Sequence, residues 1–246
     1  YISSLPASNN FRLIDRLLHH PMMQHCRRLA LSLVIDATRS GWAIDVGTKG
    51  IPMTHRLTQH QVPVSLRRLF PRASFVGCAD VRVIRATERS GECTTGTLFA
   101  AIPGHRVNGE QYATDAIGRG ATSLLVEQPL ADIAVPQCIV RNARRSYSQL
   151  CAELAGRPST RLHLSAVTGT NGKTTVTWLL RSILEAAGKQ AGLLGTIEYS
   201  DGINSEPATL TTPDSSRLST SLRDMLLSRT THAAIELSSH ALHQDR

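Results

Sequence analysis

The residues from Leu164 to Thr175 read Leu-Ser-Ala-Val-Thr-Gly-Thr-Asn-Gly-Lys-Thr-Thr, an apolar run followed by a glycine turn and an apolar-periodic segment starting at Val176. Gly169 and Gly172 permit a tight turn that brings backbone N–H groups near a ligand, and a helix that follows points its positive end at the same place. Such a loop binds phosphate. Gly169, Thr170, Asn171, Gly172, Lys173, Thr174 and Thr175 are the candidate nucleotide-binding residues. Lys173 would reach terminal phosphates and the Thr174 hydroxyl would serve Mg²⁺. The full phosphate-loop pattern wants a glycine five residues before Gly172, where this chain has Val167, so the match is a shortened variant.

Two later stretches supply further chemistry. Thr211-Thr212-Pro213-Asp214 places hydroxyls and a capping acid before the periodic segment of Leu218, Leu222, Met225 and Leu226. The apolar run His232 to Ile235 then delivers Glu236 at a strand end, suited to hold Mg²⁺ directly or through water. Ser238 and His240 follow.

The elements that must position these residues alternate between strand and helix. Ser65 is expected to cap a helix carrying Leu66, Leu69 and Phe70, and strands are expected over 75–77, 81–84, 98–102, 124–126 and 138–140. Helices are expected over 110–117 and 144–155, the latter with Tyr147, Leu150, Cys151 and Leu154 on its apolar face. From Thr174 a helix should run to Ala187, with Trp178, Ile183, Leu184 and Ala187 available for packing and Gly188 at its C-terminal cap. A strand over 191–196 and an Asp201-Gly202 hairpin come next. This alternation predicts an α/β fold: a small N-terminal α/β domain over 53–160, then the first half of a phosphate-loop domain with a mostly parallel sheet over 161–246. The sheet of that second domain is expected to be cut after the strand ending near Glu236, leaving that edge unpaired. Residues 1–52 carry little pattern beyond Phe11, Ile14, Leu17 and Leu18 and are expected to lie outside the working fold.

Composition narrows the classes. In 246 residues with 41% hydrophobic and 19% charged residues, no window approaches the ~18 apolar residues a bilayer crossing needs. No membrane insertion is expected. The formal charge of +8 arises from Lys and Arg spread along the chain, and aromatic residues make up only 4%, which favours a small polyanion over nucleic acid. Cys26, Cys78, Cys93, Cys138 and Cys151 form no paired metal signature, consistent with a reducing cytoplasm. His19, His20 and His25 have no acidic or cysteine partner at ligand spacing. The chain opens on Tyr1, and Met53 is the expected start of the regular pattern.

Taken together, the run from Val167 to Thr175, Gly195-Thr196, Thr211 to Asp214 and Glu236-Leu-Ser-Ser-His-Ala-Leu resemble the Mur ligases, and among them the UDP-N-acetylmuramyl-tripeptide synthetase (MurE) type. Leu98-Phe-Ala-Ala-Ile-Pro-Gly-His resembles that family's first domain, so the likeness covers roughly 64–246. It implies an ATP-dependent ligase of peptidoglycan synthesis that adds an amino acid, diaminopimelate or lysine, to UDP-N-acetylmuramoyl-L-alanyl-D-glutamate through an acyl phosphate. By that resemblance ATP and Mg²⁺ are the cofactors, Lys173, Glu236 and His240 are catalytic, and Thr174 and Glu236 serve the metal. Ser90, His105, Arg106 and Val107 would contact the UDP-muramoyl end, while Thr211, Thr212, Ser238, Gln244 and Arg246 would hold its sugar and peptide. The family usually shows Asp-Ser-Arg where this chain has Arg89-Ser90-Gly91, so only Ser90 matches there. The resemblance further implies a third domain and a carbamylated lysine beyond Arg246, and hence no amide formation by these residues alone. Two alternatives stand beside it: a folylpolyglutamate synthetase-like ligase, which would lack the 98–104 and Ser-Ser-His-Ala-Leu motifs, and a nucleotide-binding module without turnover.

Overall fold

The computed structural model describes residues 62–104 and 108–243. Within them the chain builds two five-stranded sheets, each flanked by helices. The early helical pattern, His19, His20 and His25, and the expected start at Met53 lie outside the described residues.

The first sheet is preceded by a two-stranded antiparallel pair, β1 (Val64–Ser65) and β3 (Arg82–Val83). Between them sit α1 (Leu66–Leu69) and β2 (Ser74–Val76). Ser65 caps α1 as expected, its hydroxyl accepting from the Arg68 N–H. The sheet itself runs in the order β2, β7, β6, β5, β4, where β4 is Arg85–Thr87, β5 Thr97–Ala100, β6 Ala121–Val126 and β7 Gln137–Ile139. All pairings but β2 with β7 are parallel. β5 is buried along its whole length, as a strand covered on both faces must be. One face packs on α3 (Ala143–Leu154) through Tyr147, Leu150 and Cys151; the other receives Ala113 and Ala116 of α2 (Ala113–Gly118). The segment expected as one helix over 110–117 is a 3₁₀ turn, Gly109–Tyr112, running into α2.

A left-handed Arg157, with φ of 52°, and a 3₁₀ turn at Pro158–Thr160 separate α3 from the second sheet. The second sheet has the order β11, β10, β9, β12, β8. Its strands are β8 (His163–Val167), β9 (Ala191–Leu194), β10 (Glu198–Ser200), β11 (Ser205–Pro207) and β12 (His232–Glu236). β8, β12 and β9 are parallel; β10 and β11 form the hairpin that Asp201-Gly202 announces. Three helices complete it: α4 (Lys173–Ala186), α5 (Ser215–Leu227) and the short α6 (Ser239–His243).

Two expectations need correction here. The strand ending at Glu236 is no sheet edge: the crossover from α5 inserts β12 between β8 and β9, and the edges of the described sheet are β11 and β8, the latter with Leu164 and Ala166 exposed. Strand order in a parallel sheet follows crossovers rather than chain order, so the last strand can be central. The apolar face expected on α4 is also largely uncovered. Ile183 is 61% exposed, Ala187 is exposed, and Thr177 is the helix's fully buried side chain. The core of this half forms instead from Leu194, Tyr199, Leu222, Met225 and Ile235.

Candidate functional site

The phosphate loop leaves β8 at its C-terminal end, where parallel strands open a crevice and a helix can present its N-terminus. Gly169 has φ of 149° and Gly172 of 80°, values in which a Cβ is strained, so both glycines are there for backbone shape. Gly172 is the N-cap of α4, which begins at Lys173, a residue earlier than expected. Thr170, Asn171 and Thr175 are exposed around the turn. The Lys173 ammonium folds back over the loop and donates to the Gly169 carbonyl at 2.7 Å. Thr177 anchors the first turn from below, its hydroxyl reaching the Lys173 carbonyl at 3.0 Å.

Glu236 ends the neighbouring strand, in register with Val167, so β12 delivers an acid to the level at which the loop begins. It is completely buried. Its Oε2 accepts from the Thr174 hydroxyl at 3.0 Å, and its Oε1 accepts from the Thr196 N–H at 2.9 Å. The Thr196 hydroxyl lies 3.1 Å from Oε2 and 3.2 Å from the Thr211 hydroxyl, linking the acid to the 211–214 loop. A Cβ at Gly195 would collide with Glu236 Oε1, so this glycine makes room for the carboxylate. Thr174 and Glu236 together present two hard oxygen donors at one point beside the loop, a donor set that fits Mg²⁺.

The residues expected to hold the sugar and peptide are placed unevenly. Thr211 lies within reach of the acid's network. Thr212 is buried, its hydroxyl donating to the Glu236 carbonyl at 2.8 Å and accepting from the Ser238 N–H at 2.9 Å. That hydroxyl locks the 211–214 loop to the end of β12. Ser238 caps α6, accepting from the Ala241 N–H at 3.1 Å, and His240 is exposed on that helix. Asp214 is the N-cap of α5 as expected, accepting from the Arg217 N–H at 2.9 Å.

Ser90 opens a 3₁₀ turn in the other half of the molecule, after β4. Its hydroxyl bonds Asp115 of α2; this bond, with the Arg119 guanidinium, holds that carboxyl below the usual range. His105, Arg106, Val107, Gln244 and Arg246 lie outside the described residues.

Two contributors were not singled out for their chemistry by sequence reasoning. Thr196 gives both its N–H and its hydroxyl to the buried acid, a role that depends on β9 lying beside β12 and is not carried by spacing. Arg89 bridges to Asp214, a residue 125 positions away, at 3.0 Å. Its local signal was a basic residue between Glu88 and Glu92.

Residues 167–246 match the Mur ligase middle domain. The chain is 41% identical over 157 residues to the UDP-N-acetylmuramoyl-L-alanyl-D-glutamate--2,6-diaminopimelate ligase of Geobacillus kaustophilus, covering 64% of this chain and 32% of that protein. Against the ligase of the same name from Halalkalibacterium halodurans, identity is 39% over 170 residues, covering 69% and 34%. The chain thus spans about a third of the length of the curated relatives it matches. A solved structure titled as a ligase of that same name superimposes with a TM-score of 0.59 at 23% identity, covering 74% of this chain and 37% of the other, a likeness of fold. The middle-domain match begins at the last residue of β8 and takes in Glu236, so sequence comparison and site geometry meet on the same crevice, and residues 167–246 carry the likeness to the Mur ligase family.

Proposed function

We propose that this chain carries the nucleotide-binding crevice and the adjoining substrate-binding unit of an ATP-dependent ligase that adds an amino acid to UDP-N-acetylmuramoyl-L-alanyl-D-glutamate, a step of peptidoglycan synthesis in the cytoplasm. Diaminopimelate is the amino acid named for the relatives at about 40% identity. The observation that carries the reading is the contact of Thr174 with the buried Glu236 at 3.0 Å, directly beside the glycine turn.

In this reading the residues act by neutralising and aligning charge. ATP and the substrate carboxylate are both anionic, so amide formation between them and an amine needs fixed positive charge and oriented dipoles where phosphate charge gathers. The N–H groups of the 169–175 loop and the N-terminus of α4 would cradle the phosphates. The Lys173 ammonium would leave the Gly169 carbonyl for the β- and γ-phosphates. Thr174 and Glu236 would hold Mg²⁺, which when bound screens the phosphate charge. Thr196 keeps the Glu236 carboxylate pointed at Thr174. On the substrate side, Thr211 faces this network while Thr212 and Ser238 hold the loop that carries it. Ser90, with His105, Arg106 and Val107, would contact the UDP-muramoyl end; Gln244 and Arg246 would meet its peptide, and His240 is assigned a catalytic role on α6.

Calorimetric titration of the 246-residue chain with a non-hydrolysable ATP analogue, with and without Mg²⁺, tests the reading. Binding should require Mg²⁺ and should weaken sharply in Glu236→Gln. Analogue binding that ignores both would overturn it.

A further inference from the structure

We propose that Arg89 is a positioning residue, a clamp that fastens the loop carrying Ser90 onto the N-terminus of α5 and so sets the opening of the cleft between the two sheets; its bearing on substrate rests on the function proposed above.

The guanidinium uses two of its nitrogens on two carboxylates from opposite sides of that cleft. Nη1 donates to Glu92 Oε1 at 2.9 Å, and Nη2 donates to Asp214 Oδ2 at 3.0 Å. Each carboxylate is held in turn by its own half of the molecule. The second oxygen of Glu92 accepts from the Thr87 hydroxyl at 2.9 Å, and Thr87 Oγ1 also accepts from the Arg89 N–H at 3.1 Å. The second oxygen of Asp214 caps α5. A chain of charge-assisted bonds therefore runs from the end of β4 to the start of α5. Only a planar fork of donors can engage two fixed carboxylates this way, which a lysine could do only in part.

This chain borders a cavity of about 520 Å³ lined by residues of both halves, among them Thr87, Tyr147, Tyr199, Thr209 and Arg217. Ser90 sits on the clamped loop, and Thr211 and Thr212 lie three and two residues before Asp214. Moving the clamp thus moves both groups of candidate substrate contacts relative to each other. A second tether, the Ser148 and Ser215 hydroxyls 2.7 Å apart between α3 and α5, lies deeper, with Ser215 buried. The Arg89 side chain is 60% exposed, so its ion pairs are screened by salt whereas the uncharged, partly buried hydroxyl pair is not. The deep pair acts as pivot and Arg89 as the releasable latch.

The test measures the separation of the two halves without any ligand. Nitroxides on cysteines introduced at the exposed Thr114 and Lys189, in a background with Cys26 and Cys78 replaced by serine, report it by pulsed electron resonance. The unsubstituted latch should give a narrow distance distribution in low salt that broadens in 1 M NaCl. Arg89→Ala and Asp214→Asn should each be broad already and insensitive to salt, and the double variant no broader than either. Asn keeps the helix cap, so loss of the cap does not confound the result. Arg89→Lys should recover part of the narrowing. A distribution in Arg89→Ala as narrow as the parent's, or a broadening that adds in the double variant, overturns the clamp. Calorimetry with UDP-N-acetylmuramoyl-L-alanyl-D-glutamate should then show affinity about two- to five-fold weaker in both single variants. If the parent binds none of this compound while the distances behave as stated, the clamp stands and the substrate reading fails. If the parent and both variants bind it equally, Arg89 does not position the site.

Discussion

Glu236 divides its carboxylate between the phosphate loop and Thr196, and the residues around it show how narrowly that arrangement is drawn. Gly195 leaves no space for a methyl group, because a Cβ would strike Glu236 Oε1. Gly195→Ala is expected to lower stability by about 1–3 kcal/mol, the usual effect of overpacking a filled site, as measured by urea unfolding. An unchanged midpoint would show that the carboxylate can turn away freely. Lys173 offers a separate test on the other side of the crevice. Lys173→Ala should leave the fold intact and weaken binding of an ATP analogue by about 2 kcal/mol, the value of one charge-assisted hydrogen bond. Equal affinity in calorimetry would remove this lysine from the nucleotide site.

At the scale of elements, the β10–β11 hairpin is held by an internal acid. Burial would raise the pKa of Asp201, but the N–H groups of Asn204 and Ile203, the Ser228 hydroxyl and the Asn204 amide outweigh it and hold the carboxyl below its ordinary value of 3.8. A carboxyl with a lowered folded-state pKa contributes stability that is present above the unfolded value and lost as pH falls through the folded one. The hairpin should therefore loosen in acid below about pH 4. Asp201→Asn should flatten that part of the stability-against-pH curve followed by thermal unfolding. A curve of the same slope in the variant would assign the acid sensitivity to other carboxylates.

Across the whole molecule, the uneven burial of the second half is the dominant feature. β8 is a sheet edge with Leu164 and Ala166 exposed, and α4 turns Val176 and Ile183 to solvent, with exposures of 48% and 61%. Unpaired strand edges beside apolar side chains template association between chains. Sedimentation of the 246-residue chain should show concentration-dependent association, and Leu164→Lys should reduce it by placing a charge on the edge. Association that is indifferent to that substitution would point to another surface.

Local chemistry made much of this legible in the sequence. A glycine turn before Lys173 and Thr174, an Asp-Gly hairpin, the Ser65 and Asp214 helix caps and the alternation of strand and helix all rest on residues close in the chain. Their conformational preferences act over a turn or two, and the structure reproduces them. Sheet order was decided by tertiary structure, because crossover connections let β12, the last strand, enter between β8 and β9, so that the phosphate-loop strand beside it, and not Glu236's own strand, is an edge of the sheet. The burial of α4 was likewise decided there: periodicity marks a face that can pack, and only the layer above it determines whether it does. Thr196 meeting Glu236, Thr212 locking its own loop and Arg89 reaching Asp214 depend on strands and loops brought together from distant parts of the chain. No spacing within the sequence encodes those distances, since each is set by the packing of whole elements.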